Sequence, residues 1–278
     1  MSQGYEKLRL DIHRMLAAVP GSFAVAFKPV GDTAALLINE RAMFHAASTM
    51  KTPVMIEVFR QAREKRFSLN DSMSVRNEFK SIVDGSRYEL DLKDDSDDSM
   101  YKRIGGKVSV RELIHQMITV SSNLATNILV GLVGPEKVTG TMRELGARDI
   151  EVLRGVEDGK AFERGMNNRT NAYDLLLILE AIAEGRAVDT SSSKTMVDIL
   201  LGQKFRDLIP ALLPPDVRVA HKTGSITGVE HDSGIVYLPD GRRYVLVLLS
   251  KDLTNAQEGK IALARVSRRI YDFMIEGK

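Results

Sequence analysis

Apolar positions recur along this chain with two periods, and the changes between them mark out its elements. Leu8, Ile12, Met15 and Leu16 fall on one face of a helix that Pro20-Gly21 must end. Residues 22–27 and 34–38 then read as two strands joined by a turn at Gly31-Asp32. The helical period returns at Val54, Met55, Ile56, Val58 and Phe59. Charged residues follow over 60–66, so this helix is predicted to be buried at its start and solvated at its end. Pro53 lacks an N–H, and a slight irregularity is expected there.

From about 68 to 107 the periodicity fades, and five aspartates gather between 91 and 98. A solvated loop is the expectation; the glycine-centred spacing of an EF-hand is missing, which argues against calcium. Ser109-Val110-Arg111-Glu112 is a capping-box pattern, and Leu113, Met117 and Ile118 continue it as a buried helix up to Ser121. A second helix carries Leu124, Ile128 and Leu129, capped by Ser121 or Ser122. Pro135 and Gly146 frame a third. Residues 153–168 are irregular and polar, after which Thr170 is expected to cap a helix through Ala183, with another over 193–201. Residues 217–222, 234–238 and 244–250 read as strands, with Pro239-Asp240-Gly241 as a hairpin turn, and the last helix covers 256–275. Strands therefore come from the chain ends and helices from the middle. This predicts an α/β (α+β) fold: a five-stranded antiparallel sheet flanked by terminal helices, from residues 1–59 and 201–278, beside a mostly helical lobe over 60–200.

Composition narrows the function classes. The 278 residues are 44% hydrophobic, enough for a sizeable core, and the net charge of +2 is dispersed, leaving no nucleic-acid footprint. The absence of cysteine removes disulfides, thiol catalysis and thiolate metal sites together. No run of eighteen apolar residues offers a membrane span. The first residues lack an apolar signal region, so the expectation is either a cytoplasmic protein or one whose export segment precedes this sequence.

The candidate chemistry centres on residues 45–54, His-Ala-Ala-Ser-Thr-Met-Lys-Thr-Pro-Val. Ser48 opens the apolar helix, where unpaired amides and the helix dipole favour an oxyanion. Lys51 shares its face, and desolvation there disfavours the ammonium, so a neutral amine could take the serine proton. Ser-x-x-Lys also occurs at Ser99/Lys102 and Ser191/Lys194, but those serines follow an acidic run and a serine-rich linker. The bland alternative is that Ser48 only caps its helix. Two further motifs weigh against it: Ser121-Ser122-Asn123 at a helix-to-helix corner, and Lys222-Thr223-Gly224-Ser225 after a strand-like run.

Ser-x-x-Lys, Ser-x-Asn and Lys-Thr-Gly in that order make the chain resemble the class A serine β-lactamases and the penicillin-binding proteins, from about residue 20 to the last helix. The resemblance implies Ser48 as nucleophile, Lys51 keeping it poised, Ser121 relaying a proton to the leaving nitrogen, and Lys222 ordering that hydroxyl and lowering the proton affinity of Lys51. It gives Asn123 the substrate's side-chain amide, Lys222 and Thr223 its carboxylate, and the amides of Ser48 and Ser225 the oxyanion, with Gly224 allowing close approach. It calls for no metal or cofactor, a small-molecule β-lactam as partner, a monomer, and a place of action outside the cytoplasmic membrane. The deacylating glutamate has two candidates. Glu157 stands 36 residues after Ser121, as the family's spacing asks; Glu163 has Asn167 four residues on, but lies close to Thr170 and reads as surface charge. Glu157 is preferred, although Arg154-Gly155-Val156-Glu157 lengthens the usual Arg-x-Glu. No arginine follows Lys222 before Arg242, Tyr101 either overhangs the site or anchors its loop, and His221 reads as an ordinary strand residue. The alternatives are a D-alanyl-D-alanine peptidase or esterase of the same superfamily, and a sensor domain acylated without turnover.

Overall fold

The computed structural model describes residues 3–276. In chain order the helices are α1 Gln3–Ala17, α2 Lys51–Arg63, α3 Val110–Thr119, α4 Asn123–Val133, α5 Pro135–Glu144, α6 Gly159–Glu163, α7 Ala172–Ala183, α8 Thr190–Leu201 and α9 Ala256–Glu276. The strands are β1 Ser22–Pro29, β2 Leu36–Ile38, β3 Phe44–His45, β4 Ser72–Ser74, β5 Phe79–Lys80, β6 Arg87–Tyr88, β7 Lys107–Ser109, β8 Arg169–Thr170, β9 Arg218–Ile226, β10 Val229–Tyr237 and β11 Arg243–Lys251.

Five strands form one antiparallel sheet in the order β2-β1-β11-β10-β9, as the sequence predicts. Its two faces follow from the period of two along each strand. Val25 and Phe27 on β1, with Leu246 and Leu248 on β11, meet α1 and α9 through Leu8, Ile12, Leu263 and Ile270. The alternate residues Ala24, Ala26, Val245 and Val247 join the larger cluster, built by α2, α3, α4, α7 and α8. Small residues on β1 let α7 lie close across the sheet. No helix among the described residues is long and apolar enough to cross a membrane.

Several boundaries differ from expectation for local reasons. β9 continues to Ile226, straight through Lys222-Thr223-Gly224, because a two-residue turn at Thr227-Gly228 returns it onto β10. The polar Thr-Gly-Ser stretch hides that alternation in the sequence. Asn171, not Thr170, caps α7, accepting the amide of Asp174 at 2.8 Å, while Thr170 pairs with Phe44. Asp189 caps α8, which begins three residues earlier than expected. Ser122 caps α4. The irregular 153–168 stretch contains the short α6, capped by Asp158. Ser48 lies in a 3-10 turn, Ala47–Met50, that runs directly into α2, and Pro53 causes no break there.

Candidate active site

The 3-10 turn, the α3–α4 corner, the free edge of β9 and the 153–168 loop converge on one cleft of about 700 Å³. Ser48, Asn123, Glu157 and Ser225 line it, with Lys51 and Lys222 fully buried beneath. All nine sequence-derived site residues are therefore drawn into or behind the cleft.

Ser121 is the hub. It has a left-handed backbone, φ 60°, which turns the chain sharply between α3 and α4. Its hydroxyl sits 3.1 Å from both Lys51 Nζ and Lys222 Nζ. Lys51 also donates to the Ser121 carbonyl at 2.7 Å and to Asn123 Oδ1 at 2.8 Å. Lys222 donates to the Thr223 carbonyl at 2.8 Å. Burial lowers the Lys51 pKa to about 7, against the opposing pull of Asp95 and Glu157. Lys222 is pushed well below the ordinary lysine range, by burial first and then by the charge of Lys51. The repulsion between the two ammonium groups is mutual, as the sequence reading expects, so a charge on one lysine disfavours a charge on the other.

The Ser48 turn packs against β9 where only glycine fits. A Cβ on residue 224 would stand 3.0 Å from the Ser48 amide nitrogen and 3.1 Å from that of Thr49. Thr49 N–H is taken by the Ala46 carbonyl and Ala47 N–H by His45 Nδ1, each at 3.0 Å. Among the described residues the Ser48 amide has no such acceptor. Ile226 and Val229 flank the two-residue hairpin turn as a hydrogen-bonded pair, so alternation leaves the Ser225 amide directed off the open edge of β9. Two unclaimed amides thus border one cleft.

Glu157 reaches the same place from the opposite wall. Its own backbone is left-handed, φ 60°, and its carboxylate accepts from Asn123 Nδ2 at 2.6 Å. Burial raises its pKa, the Asn123 hydrogen bond opposes, and the Asp95 charge adds to the rise. Ala47, Ser121 and Glu157 are three of the six non-glycine residues with positive φ among those described. Backbone strain is concentrated around this cleft. Glu163, by contrast, is exposed at the end of α6, and Asn167 binds Arg154 Nη2 at 2.9 Å.

The sequence reading missed the residues that hold this wall. Asn127 accepts the Val156 amide at 2.6 Å and donates to its carbonyl at 3.0 Å. Gly155 leaves it room, since a Cβ there would lie 2.3 Å from Asn127 Oδ1. An amide in the apolar run of α4 was the available signal. Asn168 similarly takes the amides of Leu153 and Arg154. Asp95 is not a solvated loop residue: its carboxylate accepts the amides of Asn123 and Leu124 within 3.0 Å and holds the start of α4. Burial, with Asp95 and Glu157 nearby, raises the Tyr101 phenol. His221 is more than a strand residue, being fully buried with Nδ1 2.9 Å from Asp232, whose other oxygen accepts Ile209 N–H.

A sequence model described as the β-lactamase enzyme family matches residues 7–274. A β-lactamase of Bacteroides uniformis is 26% identical, over 86% of this chain and 82% of its own. The extended-spectrum β-lactamase PER-1 of Pseudomonas aeruginosa is 24% identical over 97% and 88%. Among solved structures, PBP-A superposes with a TM-score of 0.83 at 26% identity, covering 97% of this chain and 96% of that one. A β-lactamase of Sphaerobacter thermophilus gives 0.80 at 24%, over 96% and 97%, and shares the fold.

Proposed function

The chain belongs to the β-lactamase enzyme family, and on that premise we propose that it is a class A-type serine β-lactamase, opening the lactam through an acyl-enzyme on Ser48 and releasing it with a water activated by Glu157. Ser48 Oγ attacks the lactam carbonyl carbon, and its proton passes to neutral Lys51. The developing oxyanion lies between the amides of Ser48 and Ser225. As the C–N bond breaks, Ser121 passes a proton to the nitrogen and is resupplied from the lysines on either side. Buried Lys222 meets the substrate carboxylate together with Thr223, and Asn123 the side-chain amide. Glu157 then takes a proton from water, which attacks the ester carbonyl; as the bond to Ser48 breaks, that proton is handed on to the leaving Ser48 oxygen, and both groups return to their starting states.

The observation that carries this reading is the Glu157–Asn123 hydrogen bond of 2.6 Å within the cleft that also holds Ser48. A partly buried carboxylate with a raised pKa is closer to the proton affinity a general base needs near neutrality. A second reading, a penicillin-binding protein that is acylated and released slowly, is favoured by the likeness to PBP-A, of which a point mutant was solved as an acyl-enzyme complex with penicillin G. Intact-protein mass spectrometry with excess penicillin G, after seconds and after an hour, decides between them. Catalytic loss of substrate with a transient adduct supports the hydrolase. A stable adduct with little hydrolysis supports the second reading.

A further inference from the structure

Three successive amides run through the nucleophile turn, and the ring of His45 claims the first. His45 Nδ1 accepts Ala47 N–H at 3.0 Å, a side chain folded back on the backbone two residues ahead, as asparagine does in an Asx turn. Ala47 itself is left-handed, φ 44°, a backbone that a residue with a Cβ rarely adopts and that needs a partner to hold it. Behind the ring, His231 Nε2 lies 2.9 Å from the His45 carbonyl, and His231 Nδ1 takes the Ser250 amide at 3.2 Å. Donation by Nε2 to His45 and acceptance by Nδ1 from Ser250 select one neutral tautomer, which leaves the Glu230 carbonyl, 3.0 Å from Nδ1, without a proton from this ring; burial lowers the pKa of His231 to about 4. His45 is thus fixed by the sheet at its carbonyl and grips the Ser48 turn through its ring.

We propose that His45 is a positioning residue for the nucleophile: its unprotonated Nδ1 holds Ala47 N–H, leaving the Ser48 amide alone free for the oxyanion, and protonation of the ring releases the turn and switches acylation off in acid. This rests on Ser48 being the nucleophile. The groups around the ring favour the gripping form. Burial and then the Arg154 guanidinium lower its pKa, and only the Asn167 side chain opposes them. Phe162 of α6 meets the ring edge-on at 6.3 Å, and its cross-strand neighbour on β8 is the cationic Arg169. Asp158, which also lines the cleft, is occupied by Ser81, Ile82 and Ala161. Because Arg154 and Phe162 belong to the Glu157 wall, His45 also joins the two sides of the cleft.

The test pairs kinetics with a readout that needs no substrate. In the unmodified protein the Ala47 amide resonance is followed by NMR from pH 8 to pH 5, with expected movement at one midpoint shared with the His45 ring and below about 6.5. Single-turnover acylation by penicillin G is measured over the same range for the wild type, His45→Ala and His45→Asn. The alanine variant should lose about tenfold to a hundredfold in acylation rate with little change in KM. His45→Asn supplies a non-titrating acceptor, so it should recover most of that loss and retain more of its neutral-pH rate at pH 5 than the wild type does. An Ala47 amide indifferent to the ring, or an asparagine variant no better than alanine, overturns the proposal. If wild-type Ser48 is not acylated at any pH, the hydrolase reading fails, and the amide titration alone decides whether His45 controls the turn.

Discussion

The wall of the cleft that carries Ser48, Lys51, Ser121 and Lys222 is made of buried regular structure, whereas the wall that carries Glu157 is a loop held by side-chain amides. On the first, Lys51 and Lys222 are fully buried and Gly224 is packed against the Ser48 turn. On the second, Asn127 and Asn168 satisfy backbone groups of Val156, Leu153 and Arg154 that no sheet or helix supplies. The difference matches the two halves of the proposed chemistry. Acylation asks for a desolvated lysine and fixed amides, which a dense core provides. Deacylation asks for a carboxylate beside water, which a partly buried loop pinned by side-chain amides can hold at the cleft.

Substitutions should separate the two halves. Ser48→Ala removes the attacking oxygen and is expected to abolish the penicillin adduct, with hydrolysis down by about a thousandfold or more, read by mass spectrometry and turnover together. Glu157→Gln should leave acylation nearly intact and slow deacylation by roughly a hundredfold or more, so the adduct persists. Rapid turnover by this variant would remove Glu157 from its role. A smaller, mirrored pair tests the walls themselves. Gly224→Ala forces a contact 3.0 Å from the Ser48 amide and should slow acylation about tenfold. Gly155→Ala, which strikes Asn127, should instead slow deacylation by a similar factor while the adduct forms at the normal rate. Burst kinetics distinguish the two, and an equal effect of both on acylation would erase the distinction between the walls.

The smallest expected effect concerns pH. With Lys51 titrating at about 7 and active as the neutral amine, acylation should fall as pH drops through that value. Asp95 raises the proton affinity of both Lys51 and Glu157. Asp95→Asn should therefore move the acid limbs of both steps to lower pH, in the same direction on both walls. A limb that stays in place would show that Asp95 serves only to cap α4. In stability the signs for the partly buried His45 and the fully buried His231 are also fixed. His45 and His231 hold protons less readily folded than unfolded, so their contribution is complete above about pH 6.5 and is lost as pH falls below it.

How much of this was readable in advance divides along the same line. Apolar periodicity identified the five-stranded sheet and the helices around Ser48 and Ser121, because burial on one face repeats at a fixed spacing. Short, ordered motifs named the residues of the first wall, since each holds at least two polar groups within three or four consecutive residues. Glu157 was located only by its distance from Ser121, with Glu163 left as a rival, because nothing local separates a cleft carboxylate from a surface one. Asp95, Asn127 and His45 were not assigned at all. Each acts on backbone groups brought to it by folding, across separations of about thirty residues for the first two and through a strained turn for the third.

The sequence by itself therefore determined the order of the elements, the sheet with its helical partner, and the serine, lysine and amide groups proposed for the chemistry. The tertiary structure alone decided that Ser121 stands between two buried lysines, that β9 presses Gly224 onto the Ser48 turn, and that Glu157 rather than Glu163 faces Asn123. The physical reason is that pattern and propensity act between neighbours along the chain. Desolvation, close approach and hydrogen bonding to a strained backbone act between residues distant in sequence, and they take definite values only once the core has fixed those residues in space.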